Sequence, residues 1–249
     1  MSTLRARCPD CRTLTTVAVG TEYQCHACGR EFASGLVRIP TAWGKGGEAM
    51  ADAANMELPW PEAAVVEEGT LEEEIAQVAH VLPARPFVLG GSCCGHVGAV
   101  RELARRHGRI GVVWIDSHGD LNTPESSPTG NAWGMPLRML IDAGDVDPED
   151  VTLLGARNLD PPEVEFIAEA GIRQELGSLP DRIYVALDLD VILPGDLDVF
   201  MPEPGGPTFD ELESLLGGLP APIGAGFTGG LRTDRNETLL PRLAAALGL

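Results

Sequence analysis

Long apolar runs are missing from this chain. No stretch of its 249 residues approaches the roughly 20 uninterrupted apolar positions that a membrane-spanning helix needs. The first residues also lack the charged-then-apolar layout of a secretory leader. A cytoplasmic protein with no membrane partner is expected. Positive charge is scarce as well: 18 Lys and Arg stand against 37 Asp and Glu, for a net charge of −19. The deficit is uneven, because residues 1–45 hold six basic and three acidic side chains, leaving twelve and thirty-four for the remainder. Such an acidic field argues against nucleic acid and mildly favours cationic ligands, while saying nothing about fold. The basic N-terminal segment could still touch a polyanion by itself. Internal repeats and low-complexity tracts are absent. The run Gly44-Lys45-Gly46-Gly47 lacks the spacing and the Ser or Thr of a phosphate-binding Walker loop. What is present is 44% apolar residues, enough for one sizeable α/β core and a small appendage.

The six cysteines are few, but four are placed as two CxxC pairs, Cys8 with Cys11 and Cys25 with Cys28, separated by thirteen residues. A CxxC turn points both sulfurs at one place, and two such turns joined by a hairpin supply the tetrahedral thiolate set of a structural zinc ribbon. Two disulfides, which a reducing compartment disfavours, and an iron site of rubredoxin type are the other readings. His26 is a bystander. With four thiolates the ion has no open position, so its role is structural: a segment this short buries too little apolar surface to fold alone.

Residues 36–69 mix Gly, Ala and Pro with little periodicity and read as a linker or irregular loop between a ribbon (1–35) and a main domain (70–249). Strand and helix signals alternate from Thr70 onward. Thr70 with Glu73 forms a capping pattern before a helix, and Phe87 to Leu89 is a short strand. A helix over 95–107 stops at Gly108, and Ile110 to Ile115 is apolar enough to be buried on both faces. A helix near 135–143, a strand at 151–154 and a helix opened by Asp160-Pro161 with Glu163 continue the series. The rest is a strand at 183–187, a helix capped by Thr208 with Glu211, a strand at 223–227 and a last helix from about Glu237. Regular β-then-α order implies a parallel sheet with helices on both faces.

Ligands of such sheets bind beyond the carboxyl ends of the strands, and the unusual polar clusters fall there. WIDSHGDLN places Asp116, His118 and Asp120 at alternate positions after one apolar strand, so they converge if the chain stays extended. YVALDLD places Asp188 and Asp190 after another. Four carboxylates and an imidazole gathered at two strand ends repel one another unless cations neutralise them, which points to a dinuclear metal site.

These motifs resemble those of the ureohydrolases, the arginase and agmatinase family, over residues 60–249. DSHGD is similar to their DAHxD signature and LDLD to their SFDxD signature. Thr129 to Pro136 (TGNAWGMP) resembles their SGNxHGMP loop, and Gly90 to Cys94 (GGSCC) their GGDHS. The resemblance implies an arginase/deacetylase-like α/β fold preceded by the zinc ribbon. It further implies that Asp116 and Asp188 bridge two divalent metals, with His118 and Asp190 completing one ion and Asp120 the other.

Three departures fall on positions to which the family assigns chemistry. Cys93 stands where GGDHS has a ligand His; as a sixth ligand, its softer sulfur moves preference from Mn²⁺ toward Zn²⁺, Co²⁺ or Fe²⁺. His96, one helical turn on, is the alternative candidate for that ligand. Trp133 replaces the HGMP histidine, and Gly229 aligns with the family's guanidinium-binding Glu. The resulting expectation is metal-assisted hydrolysis of a C–N bond in an amidine, guanidino compound or amide other than arginine, by a water acidified between two ions. Asp120 is the best-placed acceptor for a hydrogen bond from the hydroxide as well as a ligand, and Asn131 and Thr129 contact substrate. The alternative is a catalytically degenerate relative that binds metal or a small ligand and acts through protein partners of its ribbon. A homo-oligomer is compatible with either.

Overall fold

A computed structural model of the chain describes residues 5–6, 11, 13, 15–19, 22–32 and 34–249. Its N-terminal part is a small antiparallel sheet of β1 (Arg5–Ala6), β2 (Thr16–Val19), β3 (Glu22–Cys25) and β4 (Glu31–Phe32), ordered as numbered. Cys11, Cys25 and Cys28 bring their sulfurs within 4.8 Å of one another, while Cys8 lies outside the described residues. The Thr15 hydroxyl, followed by backbone amides of Cys28 and Ala27, holds the Cys25 thiol down at about 4. That is the thiolate form a metal requires.

The main sheet takes its strands in an order that crosses the chain repeatedly. β5 (Ser34–Ile39) leads through the short α1 (Glu48–Ala51) to β6 (Glu62–Val65). α2 (Leu71–Val81), β7 (Arg85–Gly90), α3 (Gly95–His107), β8 (Gly111–Ile115), α4 (Pro136–Asp142) and β9 (Val151–Leu154) follow. α5 (Pro161–Ala170), β10 (Ile183–Asp188), α6 (Phe209–Gly217), β11 (Gly224–Thr228) and α7 (Asp234–Ala246) complete it. The seven strands run parallel in the order β6-β5-β7-β11-β10-β8-β9.

Alternate residues of each strand enter opposite layers, as the two-residue period of a strand demands. Val88, Val112, Trp114, Tyr184 and Ala186 pack with Val78, Val97, Leu103, Leu140 and Ile167 from α2 to α5. Phe87, Leu89, Val113, Val185 and Phe227 face Leu212, Leu216, Leu240 and Leu243 from α6 and α7. Helices therefore cover both faces. The capping boxes expected at Asp160/Glu163 and Thr208/Glu211 are formed. The last helix starts three residues earlier than expected, because Thr233 accepts the Asn236 amide and caps it.

One boundary needs correction. Residues 36–69, expected to be a linker or irregular loop, supply most of β5 and all of β6. β5 is paired residue for residue with β7 from Ser34↔Arg85 to Ile39↔Gly90. Neither segment is long or apolar enough to announce itself; each is a strand because the neighbouring strand satisfies its backbone groups. Among the described residues, no helix is long and apolar enough to cross a membrane.

Candidate metal centre

Four adjacent strands, β7, β11, β10 and β8, end on one side of the sheet, and each delivers part of a single cluster. β7 leads to Cys93 at the start of α3, β8 to Asp116, β10 ends at Asp188, and β11 ends at Thr228. Cys93 Sγ lies 2.9 Å from Asp188 Oδ2 and 3.7 Å from Asp116 Oδ2. Cys93, Asp116 and Asp188 thus form one group of ligand atoms within 4.8 Å of one another, and Asp116, His118 and Asp190 form a second. Asp116 belongs to both.

The segments carrying these side chains are turns, not the extended chain expected. Asp116 Oδ1 accepts the His118 amide at 2.7 Å, and Asp188 Oδ1 accepts the Asp190 amide at 2.9 Å. Asp120 is the one non-glycine residue with positive φ among those described, at 53°. This kink brings Asp120 to the wall of the same cavity, although it joins neither ligand group, and φ in this region is uncommon enough for a non-glycine residue to suggest functional constraint.

Electrostatics show why the cluster is unusual. Burial first, then Asp190, raises the Asp116 carboxyl above its ordinary range. Burial with Asp190 and Asp116 pushes Asp188 far up, and burial with Asp116 does the same to Asp120. Burial also opposes the charged form of His118, yet hydrogen bonds to Asp116 and Asp190 outweigh it and lift the imidazole to about 12. Its Nδ1 is 3.4 Å from Asp116 Oδ1 and 3.1 Å from Asp190 Oδ2. Protons hold such a cluster together only where cations do not. The residues fit divalent metal: the donor set is oxygen, nitrogen and sulfur, and Asp120 Oδ2 is buried without a hydrogen-bond partner among the described residues.

The cluster forms the floor of a cavity of about 180 Å³, whose walls include Met50, Asn122, Thr129, Trp133, Asn158, Asp160, Glu163 and Met201. Among the described residues, no Lys or Arg lines it. Thr129 is one of its lining residues. Asn131 is not a lining residue: its Oδ1 accepts the Lys45 amide at 3.0 Å and ties the 129–134 loop to the 41–47 segment. Trp133 closes the same junction, since a Cβ on Gly44 would lie 2.3 Å from its ring. Sequence reading missed Asn122, Asn158, Asp160, Glu163 and Glu203. Asn158 Nδ2 donates to Glu203 Oε1 at 3.0 Å, and Glu203 lies 3.6 Å from His118 Nε2. Asp160 and Glu163 were visible only as a helix cap.

Two further expectations change. His96 is fully buried behind the cluster, bonded to Tyr184 and Thr228, and belongs to neither ligand group. Gly229 has φ +72°, and a Cβ there would lie 2.0 Å from Asp188 Oδ1. With Asp188 placed as it is, a side chain at Gly229 would collide with that carboxylate. The residue that β11 presents to the centre is Thr228, with Oγ1 3.1 Å from Cys93 Sγ.

Fold and cluster together define a class: a parallel α/β protein whose central strand ends build a carboxylate-rich centre of metal-binding type. The arginase family model matches residues 44–227, and the chain belongs to that family. It is 35% identical over 159 residues to the arginase of Bacillus caldovelox, covering 51% of this chain and 53% of that one. The chain spans about half the length of such curated relatives. The crystal structure of Bacillus subtilis arginase superposes with a TM-score of 0.71 at 25% identity, over 86% of this chain and 96% of that one. Proclavaminate amidino hydrolase from Streptomyces clavuligerus shares the fold, with a TM-score of 0.67 at 21% identity, over 86% of this chain and 89% of that one.

Proposed function

We propose that the chain is a metal-dependent hydrolase of C–N bonds, acting on an amidine, guanidino or amide substrate other than arginine. The observation that carries this reading is the convergence of Cys93, Asp116, His118, Asp120, Asp188 and Asp190 beneath one small cavity in a chain of the arginase family. These six side chains would hold two divalent ions. When bound, the ions supply Lewis acidity and a water acidic enough to react at neutral pH. The sulfur of Cys93 favours Zn²⁺, Co²⁺ or Fe²⁺ over Mn²⁺.

The remaining steps belong to the chain's own residues. Asp120, with one oxygen unpartnered, accepts a proton at Oδ2. Thr129 on the wall orients the substrate, and Asn131 acts on it indirectly by holding the 129–134 loop. Asp160 and Glu163 on an otherwise uncharged wall favour a cation. Among the described residues, β11 contributes no carboxylate to the cavity lining, so arginine and agmatine are expected to be poor substrates; lacking a charge-assisted bidentate partner in a dry site removes a strong contact. At the N-terminus, Cys8, Cys11, Cys25 and Cys28 would bind one structural zinc.

The test is a screen of guanidino compounds, amidines and small amides for urea or ammonia release by metal-reconstituted protein. Turnover of one of them supports the reading. Efficient conversion of arginine to urea overturns the assignment of substrate class. Trp133, which cannot shuttle protons, favours a second reading: a degenerate relative acting through partners of its ribbon. Full metal loading with no turnover across the screen would support that instead.

A further inference from the structure

Behind Cys93 runs a line of buried polar groups that the hydrolytic reading does not use. Thr228 Oγ1 is 3.1 Å from Cys93 Sγ, His96 Nε2 is 3.2 Å from Thr228 Oγ1, and Tyr184 OH is 3.0 Å from His96 Nδ1. Thr228, His96 and Tyr184 are each at most 1% exposed. The space is reserved for them: a Cβ at Gly226 of β11 would lie 2.7 Å from both the His96 ring and the Tyr184 hydroxyl. Trp114 packs edge-to-face on His96 at 5.3 Å, fixing the ring plane, and its own Nε1 donates to Asp116 Oδ2 at 3.3 Å.

The direction of the line follows from satisfying each group. Among the described residues, the buried Tyr184 hydroxyl has a hydrogen bond only to His96 Nδ1. Its proton must go there, since an unused buried O–H is costly. His96 Nδ1 is then an acceptor, so the neutral ring carries its proton on Nε2 and donates to Thr228. Burial keeps that ring neutral, with its pKa pushed down to about 3. Thr228, already accepting, turns its own proton toward the cluster. Its choices are Cys93 Sγ at 3.1 Å, Asp188 Oδ2 at 3.4 Å and the Leu187 carbonyl at 3.5 Å. The sulfur is nearest, and its larger radius makes that contact the tightest of the three.

We propose that Tyr184, His96 and Thr228 are positioning residues: a one-way chain of donors that ends on Cys93 Sγ, aims the sulfur as a metal ligand and so sets which metal the centre prefers. A donor aimed at sulfur fixes which lone pairs face the metal, in the way partners outside a metal's own ligands orient them. The inference rests on the reading of Cys93 as a ligand, and the experiment separates the two.

Full-length protein is titrated with Co²⁺, and the sulfur-to-cobalt charge-transfer absorption is followed. Subtracting the spectrum of Cys93→Ser removes the contribution of the N-terminal cysteines. The expected result is a Cys93-dependent band in the parent that Thr228→Ser keeps. Thr228→Val should shift or lose it and bind Co²⁺ roughly 10-fold more weakly, the usual scale for such partners. Tyr184→Phe, which removes one hydroxyl far from the centre, should move the band in the same direction by less, and it carries the comparison should Thr228→Val not fold. A band and affinity unchanged in both Thr228→Val and Tyr184→Phe overturn the chain of donors while leaving Cys93 a ligand. No difference between parent and Cys93→Ser removes Cys93 from the ligand set and the proposal with it; the hydrolase reading is then still judged by the turnover screen.

Discussion

Replacing Gly229 by Ala should damage the centre in a way that backbone strain alone cannot explain. Gly229 has φ +72°, and Gly171, at the end of α5 and away from the centre, has φ +68°. An Ala at either site carries the left-handed penalty of about 1–2 kcal/mol. At Gly171 nothing lies within 4 Å of the new Cβ, whereas at Gly229 it would lie 2.0 Å from Asp188 Oδ1 and 2.5 Å from Oδ2. The Asp188 carboxylate has little freedom to retreat: Oδ1 accepts the Asp190 amide at 2.9 Å, and Oδ2 is held 2.9 Å from Cys93 Sγ. Overpacking of this kind adds about 1–3 kcal/mol. The total for Gly229→Ala is about 2–5 kcal/mol, a fall in Tm of roughly 4–20 °C at 2–4 °C per kcal/mol for a chain of this size. Gly171→Ala should lose roughly 2–8 °C. Thermal unfolding by circular dichroism, with metal content measured on the same samples, makes the comparison. Gly171→Ala should keep the parent's metal and Gly229→Ala should retain only that of the N-terminal cysteines. Equal losses of stability with equal metal content would refute the argument that Asp188 is pinned.

Cys25→Ser should release one zinc from the N-terminal sheet while the main thermal transition survives, because the seven-stranded domain has its own two-layered core; loss of that transition would make the ribbon integral. Metal binding at the centre should release protons and strengthen as pH rises, since Asp116, Asp120 and Asp188 are raised and His118 is held at about 12 before any cation displaces their protons. Pulsed addition of Zn²⁺ in weak buffer measures this, and binding that is independent of pH would contradict it. Glu74, buried on α2, accepts from Trp43 Nε1 at 2.9 Å and from the Thr41 hydroxyl, anchoring the segment that packs on Trp133. Glu74→Ala should cost about 1–3 kcal/mol by stranding those donors and should expose residues 41–47 to protease. Burial raises the Glu74 pKa, so the parent loses stability as pH climbs from the ordinary carboxylate range through the raised value. Glu74→Gln should lack that loss, and parallel pH–Tm curves for the two proteins would count against the assignment.

Local chemistry determined what could be read from sequence alone. Apolar runs such as Ile110 to Ile115 are strands in any context that buries them. Capping residues such as Asp160 and Thr208 act within four residues, and the carboxylates of DSHGD and LDLD announce themselves by following apolar strands. The alternation of these elements was sufficient for a parallel sheet with helices on both faces.

Tertiary structure decided whatever depends on partners distant in the chain. β5 exists because β7 pairs along its length, and β6 because β5 in turn pairs with it, so a Gly- and Pro-rich stretch concealed two strands. Asp120 reaches the centre through a positive φ that no spacing rule reports. Asn131 resembles a substrate contact by its motif, yet its side chain is spent on the Lys45 amide 86 residues earlier. Asn158 and Glu203 lie 45 residues apart and meet beside His118. Strand register also settled β11: Asp188 pairs with Thr228, which turns a hydroxyl toward Cys93 and leaves Gly229 no room for a side chain. A sequence states which groups are available, but a side chain's direction and the space around it are set only when the neighbouring strands are in place.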